Sequence, residues 1–314
     1  MAVLYVLSHG GNVTGRYAQE FLYGRVSNGE PRVLALKSVA FLIMIAEKED
    51  NMEFKQVVGR RRSIRYYQPW RPVEREKIQK ILEAARLQSQ HGNASDIRKA
   101  VVVIKGETPE DVRKALVEAL YSQPQAEQAP VHIVWTIDMS GWEKLRDRLL
   151  ELLKVRALTP SYGWSEQFVD TVVMPTPDFN VLAGDRTFAE WLSAFESGLA
   201  VGSALLAAVD EGLGTQLLTG KREEIRKVLG MPEYVTPTQV QIVGYPAESP
   251  EAGGQRPRPD FESLYFSGKW GVSFKRDPRV VEQLQSEGMI QTPAPLPWRA
   301  QEVRALAATF GLPE

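Results

Sequence analysis

Arg60-Arg-Arg-Ser-Ile-Arg65 is the stretch on which the reading turns. In an extended chain successive side chains alternate between faces, so Arg61, Ser63 and Arg65 fall on one side. Two guanidinium forks and a hydroxyl converging there suit a phosphate monoester. The plain alternative is a solvated basic patch. Nucleic acid is a poor candidate, because no aromatic platform or second basic stripe accompanies the string. Whole-chain charge agrees: 38 Lys and Arg against 39 Asp and Glu give a formal charge of -1. That balance argues against bulk attraction to nucleic acid or an anionic membrane.

The 314 residues are 43% apolar and 25% charged, ordinary globular usage that buries a large core. Cysteine is absent, which removes disulfides, thiolate nucleophiles and iron–sulfur clusters. His9, His91 and His132 are the 3 histidines, too few to expect a histidine-built metal centre. An enzyme of this composition would lean on a bound organic cofactor. The most apolar run, Val39-Ala-Phe-Leu-Ile-Met-Ile-Ala46, is shorter than the roughly 20 residues of a membrane span. It is followed by Glu47-Lys-Glu-Asp50 and reads as a buried helix or strand. Residues 1–51 differ in character from the rest of the chain. They read as an N-terminal extension, or as sequence upstream of a natural start at Met52.

Outward from the arginine string, 52–62 predicts a short helix. Ile78, Ile81, Leu82 and Ala85 form one apolar stripe, so 73–87 predicts an amphipathic helix. Residues 100–104, 131–137, 215–219 and 238–244 predict strands. Helices are expected over 109–121, 142–156, 188–211 and 222–229, with Gly212 ending the long, Ala/Gly/Ser-rich one. Residues 157–187 read as an irregular excursion. The tail from Gly268 reads as proline-rich with one last helix. Strands and helices mix without strict βαβ alternation, which is an α+β pattern.

Several motifs fail. Gly212-Leu-Gly214-Thr-Gln-Leu217 lacks the third glycine of a dinucleotide fingerprint and follows a helix rather than a strand. Thr219-Gly-Lys-Arg222 resembles the end of a phosphate loop, but Thr215 stands where its first glycine belongs. No zinc-protease, nucleophile-elbow or EF-hand pattern occurs.

Other pieces fall into order around the string. Phe54-Lys-Gln-Val-Val-Gly-Arg-Arg-Arg-Ser-Ile-Arg-Tyr-Tyr67, then Arg86-Leu-Gln-Ser-Gln-His-Gly-Asn93, resembles the opening of the FMN-dependent nitroreductase family. Ala207-Ala-Val-Asp-Glu-Gly-Leu-Gly-Thr215, Leu217-Leu-Thr-Gly220, Val243-Gly-Tyr-Pro246 and Arg256-Pro-Arg-Pro-Asp-Phe-Glu262 are similar to its closing run. There are departures. Gln88-Ser-Gln90 stands where the family usually has Ala-Pro-Ser, Ser95-Asp-Ile97 where it has Gln-Pro-Trp, and Gly202-Ser203 where it often has Gln-Asn. The resemblance covers 52–271 as one FMN-binding domain and leaves 272–314 as a C-terminal extension.

The resemblance implies an α+β fold with a mixed central sheet flanked by helices. It further implies a swapped homodimer with extended arms and FMN at the subunit interface. Arg61, Arg62, Ser63 and Arg65 would hold ribityl and phosphate, and Arg258, with Arg256 as the fallback, would close the phosphate site. Gln90, His91, Gly92 and Asn93 would reach the flavin from the partner subunit. Leu218, Thr219 and Gly220 would offer backbone N–H groups along the ring. NADH or NADPH would give hydride to flavin N5, which requires no side-chain acid or base, so neither a catalytic residue nor a metal ligand is assigned. The electrons would pass to a small acceptor such as a nitroaromatic or quinone. A flavin-binding sensor without turnover, or a flavin-consuming or dehalogenating relative, are the alternatives. A cytoplasmic location is expected. Tyr162, Trp164 and Phe168 are either a lid over the ring or anchors for their loop. His132 reads as a satisfied core residue, and His91 as either a loop residue or a flavin contact.

Overall fold

The computed structural model describes residues 53–93 and 96–313. The apolar run at 39–46, His9 and Ser95 lie outside the described residues. The chain divides into the units Met1–Asn51 and Met52–Glu314. The sheet and the arginine string belong to the second unit.

The centre of that unit is a four-stranded antiparallel sheet in the order β1-β2-β4-β3. The strands are β1 (Arg98–Ile104), β2 (Val131–Asp138), β3 (Gly214–Leu218) and β4 (Val235–Gly244). β2 is buried almost throughout, as expected of an inner strand rich in β-branched residues. Its alternation serves two cores: Val131, Ile133 and Trp135 enter one, Val134 the other.

Two helices cover the first face, α1 (Arg75–Arg86) and α2 (Arg186–Asp210). Ile78, Ile81 and Ala85 of α1 share a core with Ala200, Ala204 and Ala208 of α2. The alanines, four residues apart, provide the close approach expected of the small-residue helix. A Cβ built on Gly198 or Gly202 would meet nothing within 4 Å, so both leave an open face on α2. Length and a mean hydropathy of 1.6 would let α2 cross a bilayer, but its alanine stripe is buried inside the molecule. Gly212, at φ +73°, turns the chain out of this helix. On the second face α3 (Arg222–Val228) and a helix over Glu110–Ala119 pack with Ile64, Tyr67 and Leu218.

The irregular excursion builds its own small core. Trp164 and Phe168 meet edge to face at 5.2 Å and pack against Leu145, Leu149, Val169 and Val173. They are anchors of the loop. The tail corrects one expectation: it holds two helices, α4 (Pro278–Ser286) and α5 (Arg299–Phe310). Pro278 occupies the first turn of α4, and the Asp277 side chain accepts from Arg279 N. The tail folds back on the helix Phe54–Arg60 so tightly that a Cβ on Gly59 would stand 1.9 Å from the Gly288 carbonyl oxygen.

Candidate functional site

The helix Phe54–Arg60 delivers the arginine string to the free edge of β3. Ser63 bridges Thr215 in parallel, and Ile64 N donates to Thr215 O at 3.2 Å. The expected alternation is present: Arg62 and Ile64 are buried, while Arg61 and Ser63 are half-buried and Arg65 is exposed. Gly214 makes room for Ile64, since a Cβ there would stand 2.9 Å from its side chain.

The same edge receives the chain from the far end of the domain. Arg258 and Arg256 come within electrostatic reach of the string. Burial first, and Arg258 second, lower the Arg61 pKa from its usual value. Burial, then Arg65 and Arg299, lower that of Arg256 against the opposing pull of Glu248. Arg61 and Arg256 each sit partly buried among other guanidiniums, a local deficit of negative charge. A phosphate dianion meets that deficit, with forks suited to its oxygens and the Ser63 hydroxyl as a neutral donor. The donor set therefore fits the phosphate of FMN.

Arg62 departs from the expected role. Its Nη1 donates to the Gly59 carbonyl at 2.5 Å and the Arg61 carbonyl at 3.0 Å, and Nη2 to Gln291 Oε1 at 2.7 Å. Period-two alternation turns it inward beside Ile64, so its fork ties chain segments together rather than facing an anion.

Leu218, Thr219 and Gly220 leave β3 at the arginine edge. Leu218 is buried and Thr219 exposed. Gly220 permits a close pass: a Cβ would stand 2.8 Å from the Ala119 carbonyl oxygen, to which Lys221 N donates at 2.9 Å.

The loop Gln90, His91, Gly92, Asn93 lies elsewhere. Arg98, at the start of β1, holds it by donating to the Ser89 and Gln88 carbonyls at 3.1 and 2.8 Å. His91 N donates to buried Glu196 Oε1 of α2 at 2.8 Å, and His91 Nε2 lies 2.9 Å from the Phe179 carbonyl oxygen. Gly92 at φ +60° and Asn93 at φ +48° turn the chain through the left-handed region. β1 and β3 are opposite edges of the sheet, roughly 15 Å apart at the usual strand spacing. One chain thus carries the arginines and Leu218–Gly220 run on one edge and the Gly-Asn loop on the other.

Sequence reasoning missed Glu196, Glu248, Gln291 and Arg299, all held by contacts between distant segments. Among the described residues no group of three His, Asp or Glu stands together as a metal site.

Comparison with known proteins meets this geometry. FMN reductase [NAD(P)H] of Bacillus subtilis is 27% identical over 194 residues, and the match spans 60% of this chain and 63% of that protein. The NADH dehydrogenase of Thermus thermophilus is 29% identical over 198 residues, 63% of this chain and 88% of its own length. A candidate nitroreductase of Exiguobacterium sibiricum, solved in complex with FMN, has the same fold. Its TM-score is 0.52 at 22% identity, over 64% of this chain and 91% of that one. The model of the Nitroreductase family matches residues 58–245, from the arginine string to the end of β4, and the chain belongs to that family.

Proposed function

We propose that this chain is an FMN-dependent oxidoreductase that takes electrons from NADH or NADPH and passes two to a small organic acceptor such as a nitroaromatic or quinone. The observation that carries the reading is the guanidinium cluster at the β3 edge, the strand from whose end Leu218, Thr219 and Gly220 also leave the sheet. FMN, when bound, supplies the two-electron chemistry. Arg61, Ser63, Arg65 and Arg258 hold its phosphate, and backbone N–H groups of the 218–220 run face its ring. Stopped-flow mixing of the yellow protein with NADH and with NADPH tests this. Bleaching near 450 nm (about the usual oxidised flavin band) is expected, followed by recolouring with a nitroaromatic or quinone. Colour that persists in both donors points to a flavin binder instead.

The reading includes a homodimer. The Gly-Asn loop and the arginines sit at opposite edges of one sheet, so a loop from a second copy can complete the site. Aromatic surface supports this. On α2, Trp191 is 62% and Phe195 54% exposed, stacked on each other beside the open face at Gly198 and Gly202. Trp270, in a hairpin closed by Phe266 and Ser273, is 90% exposed. Such rings are hard to leave in water. Light scattering is expected to give twice the mass of one chain, and Trp191→Asp with Phe195→Asp to give monomers that lose flavin. Wild-type monomers that keep flavin and activity would contradict the dimer.

A further inference from the structure

The tail 278–310 does more than cover the helix Phe54–Arg60. Glu248, 4% exposed, lies between the arginine string and α5. Its Oε1 accepts from Arg65 N and, at 3.2 Å, from Tyr66 N. The other oxygen, Oε2, lies 2.6 Å from Arg299 Nη1 and receives no aligned hydrogen bond. Arg299 opens α5, where Glu302 also takes its Nη1 at 2.6 Å and accepts from Ser249 N at 2.6 Å. The far end of α5 is fixed by Phe310, whose ring stacks 6.1 Å from Tyr66 and 6.5 Å from Trp70.

A buried carboxylate beside a group of arginines is a competitor for them. Glu248 already pulls electrostatically on Arg256. An anion at the site must draw on the same cations. A partner that occupies Glu248 from outside the group leaves Arg65 and Arg256 free for that anion.

We infer that Arg299 is a positioning residue: by neutralising Glu248 from the C-terminal tail, it keeps the phosphate-binding arginines available. This rests on the FMN reading above. The carboxylate keeps its other task, holding the Arg65 and Tyr66 N–H groups, whether or not its charge is answered.

The test compares FMN with riboflavin, which lacks the phosphate, by fluorescence titration of the full chain. Arg299→Met is expected to weaken FMN binding on the order of 10-fold, about the value of one charge-assisted contact, and to leave riboflavin within about twofold. Arg299→Lys keeps the charge and is expected to stay within about threefold of wild type for FMN. The decisive variant is Glu248→Gln with Arg299→Met. Its amide oxygen still accepts from Arg65 N and Tyr66 N, the competing charge is gone, and FMN affinity returns to within about threefold of wild type. Non-additivity of this sign does not follow from loosened packing. If Arg299→Met fails to fold, Glu248→Gln alone serves, with FMN binding expected to match or exceed wild type. The proposal is overturned if FMN and riboflavin weaken together, if Arg299→Met leaves FMN unchanged, if the double variant shows no recovery, or if Glu248→Gln weakens FMN. Wild-type protein that binds FMN while Arg299→Met leaves its affinity unchanged overturns this proposal alone. Wild-type protein that binds no FMN overturns it together with the reading beneath it.

Discussion

Arg61→Ala and Arg65→Ala are each expected to weaken FMN binding roughly 10- to 100-fold. Each removes a charge-assisted hydrogen bond or a bidentate pair to a dianion, on the order of 1.5–3 kcal/mol, at about 1.4 kcal/mol per decade. Arg61 is the more constrained, half-buried and beside Arg258. Its loss also removes a repulsion, so its net effect belongs at the lower end. Arg→Lys recovers only part, because an ammonium lacks the planar fork. Ser63→Ala should cost nearer about 1 kcal/mol, the loss of a neutral donor. Melting temperature should fall with affinity and recover in excess FMN by mass action. If the arginines are merely solvated, each change stays within about 0.5 kcal/mol and the colour persists. Flavin fluorescence titration of the variants separates the outcomes. Unchanged dissociation constants in both arginine variants return the cluster to a surface patch.

A second large effect is expected in acid. His132 is 0% exposed within β2, with Nε2 at 2.9 Å from the Ala126 carbonyl oxygen and Nδ1 without a partner. Burial, assisted by Arg113 and opposed by the Ala126 hydrogen bond, lowers its pKa to about 4. The folded value lies below the unfolded value near 6.5, so folding favours the neutral ring. Its stabilisation is complete above about pH 6.5 and is lost as pH falls from there towards about 4. Across that window the loss approaches roughly 3 kcal/mol at 1.36 kcal/mol per pKa unit. Urea unfolding at intervals from pH 7 to 4.5 measures it. His132→Gln, whatever its stability at pH 7, should show a flatter pH dependence over the upper half of the window. An identical slope in the variant would assign the loss to carboxylates instead.

Both effects were within reach of the sequence, but unequally. His132 sits inside a continuous apolar run that already reads as a buried strand. The string at 60–65 announces an extended segment, and its alternation separates Arg61, Ser63 and Arg65 from Ile64. The same alternation places Arg62 inward, yet likeness to a phosphate-binding motif groups it with its neighbours. Helix α4 escaped because the surrounding prolines read as punctuation, although Asp277-Pro278 is a sound helix start. Arg299 and Glu248 left no trace of their pairing. Contacts between segments 51 positions apart in the chain carry no periodicity, and only the fold brings them together. The short core under the excursion is similar: Val169 and Val173 close it through a helical turn with no sustained pattern around it.

The cation cluster is built from both ends of the domain, Arg61 and Arg65 from its first residues, Arg256 and Arg258 from its last. A ribosome adds about 5–20 residues per second, so Arg256 follows Arg65 by roughly ten to forty seconds. Throughout that interval the nascent chain presents the first arginines without those that finish the group. Every strand of the sheet has been made before Arg256 appears, because β4 ends at Gly244. A chain that stops short of Arg256 therefore contains all four strands but lacks half of its cations.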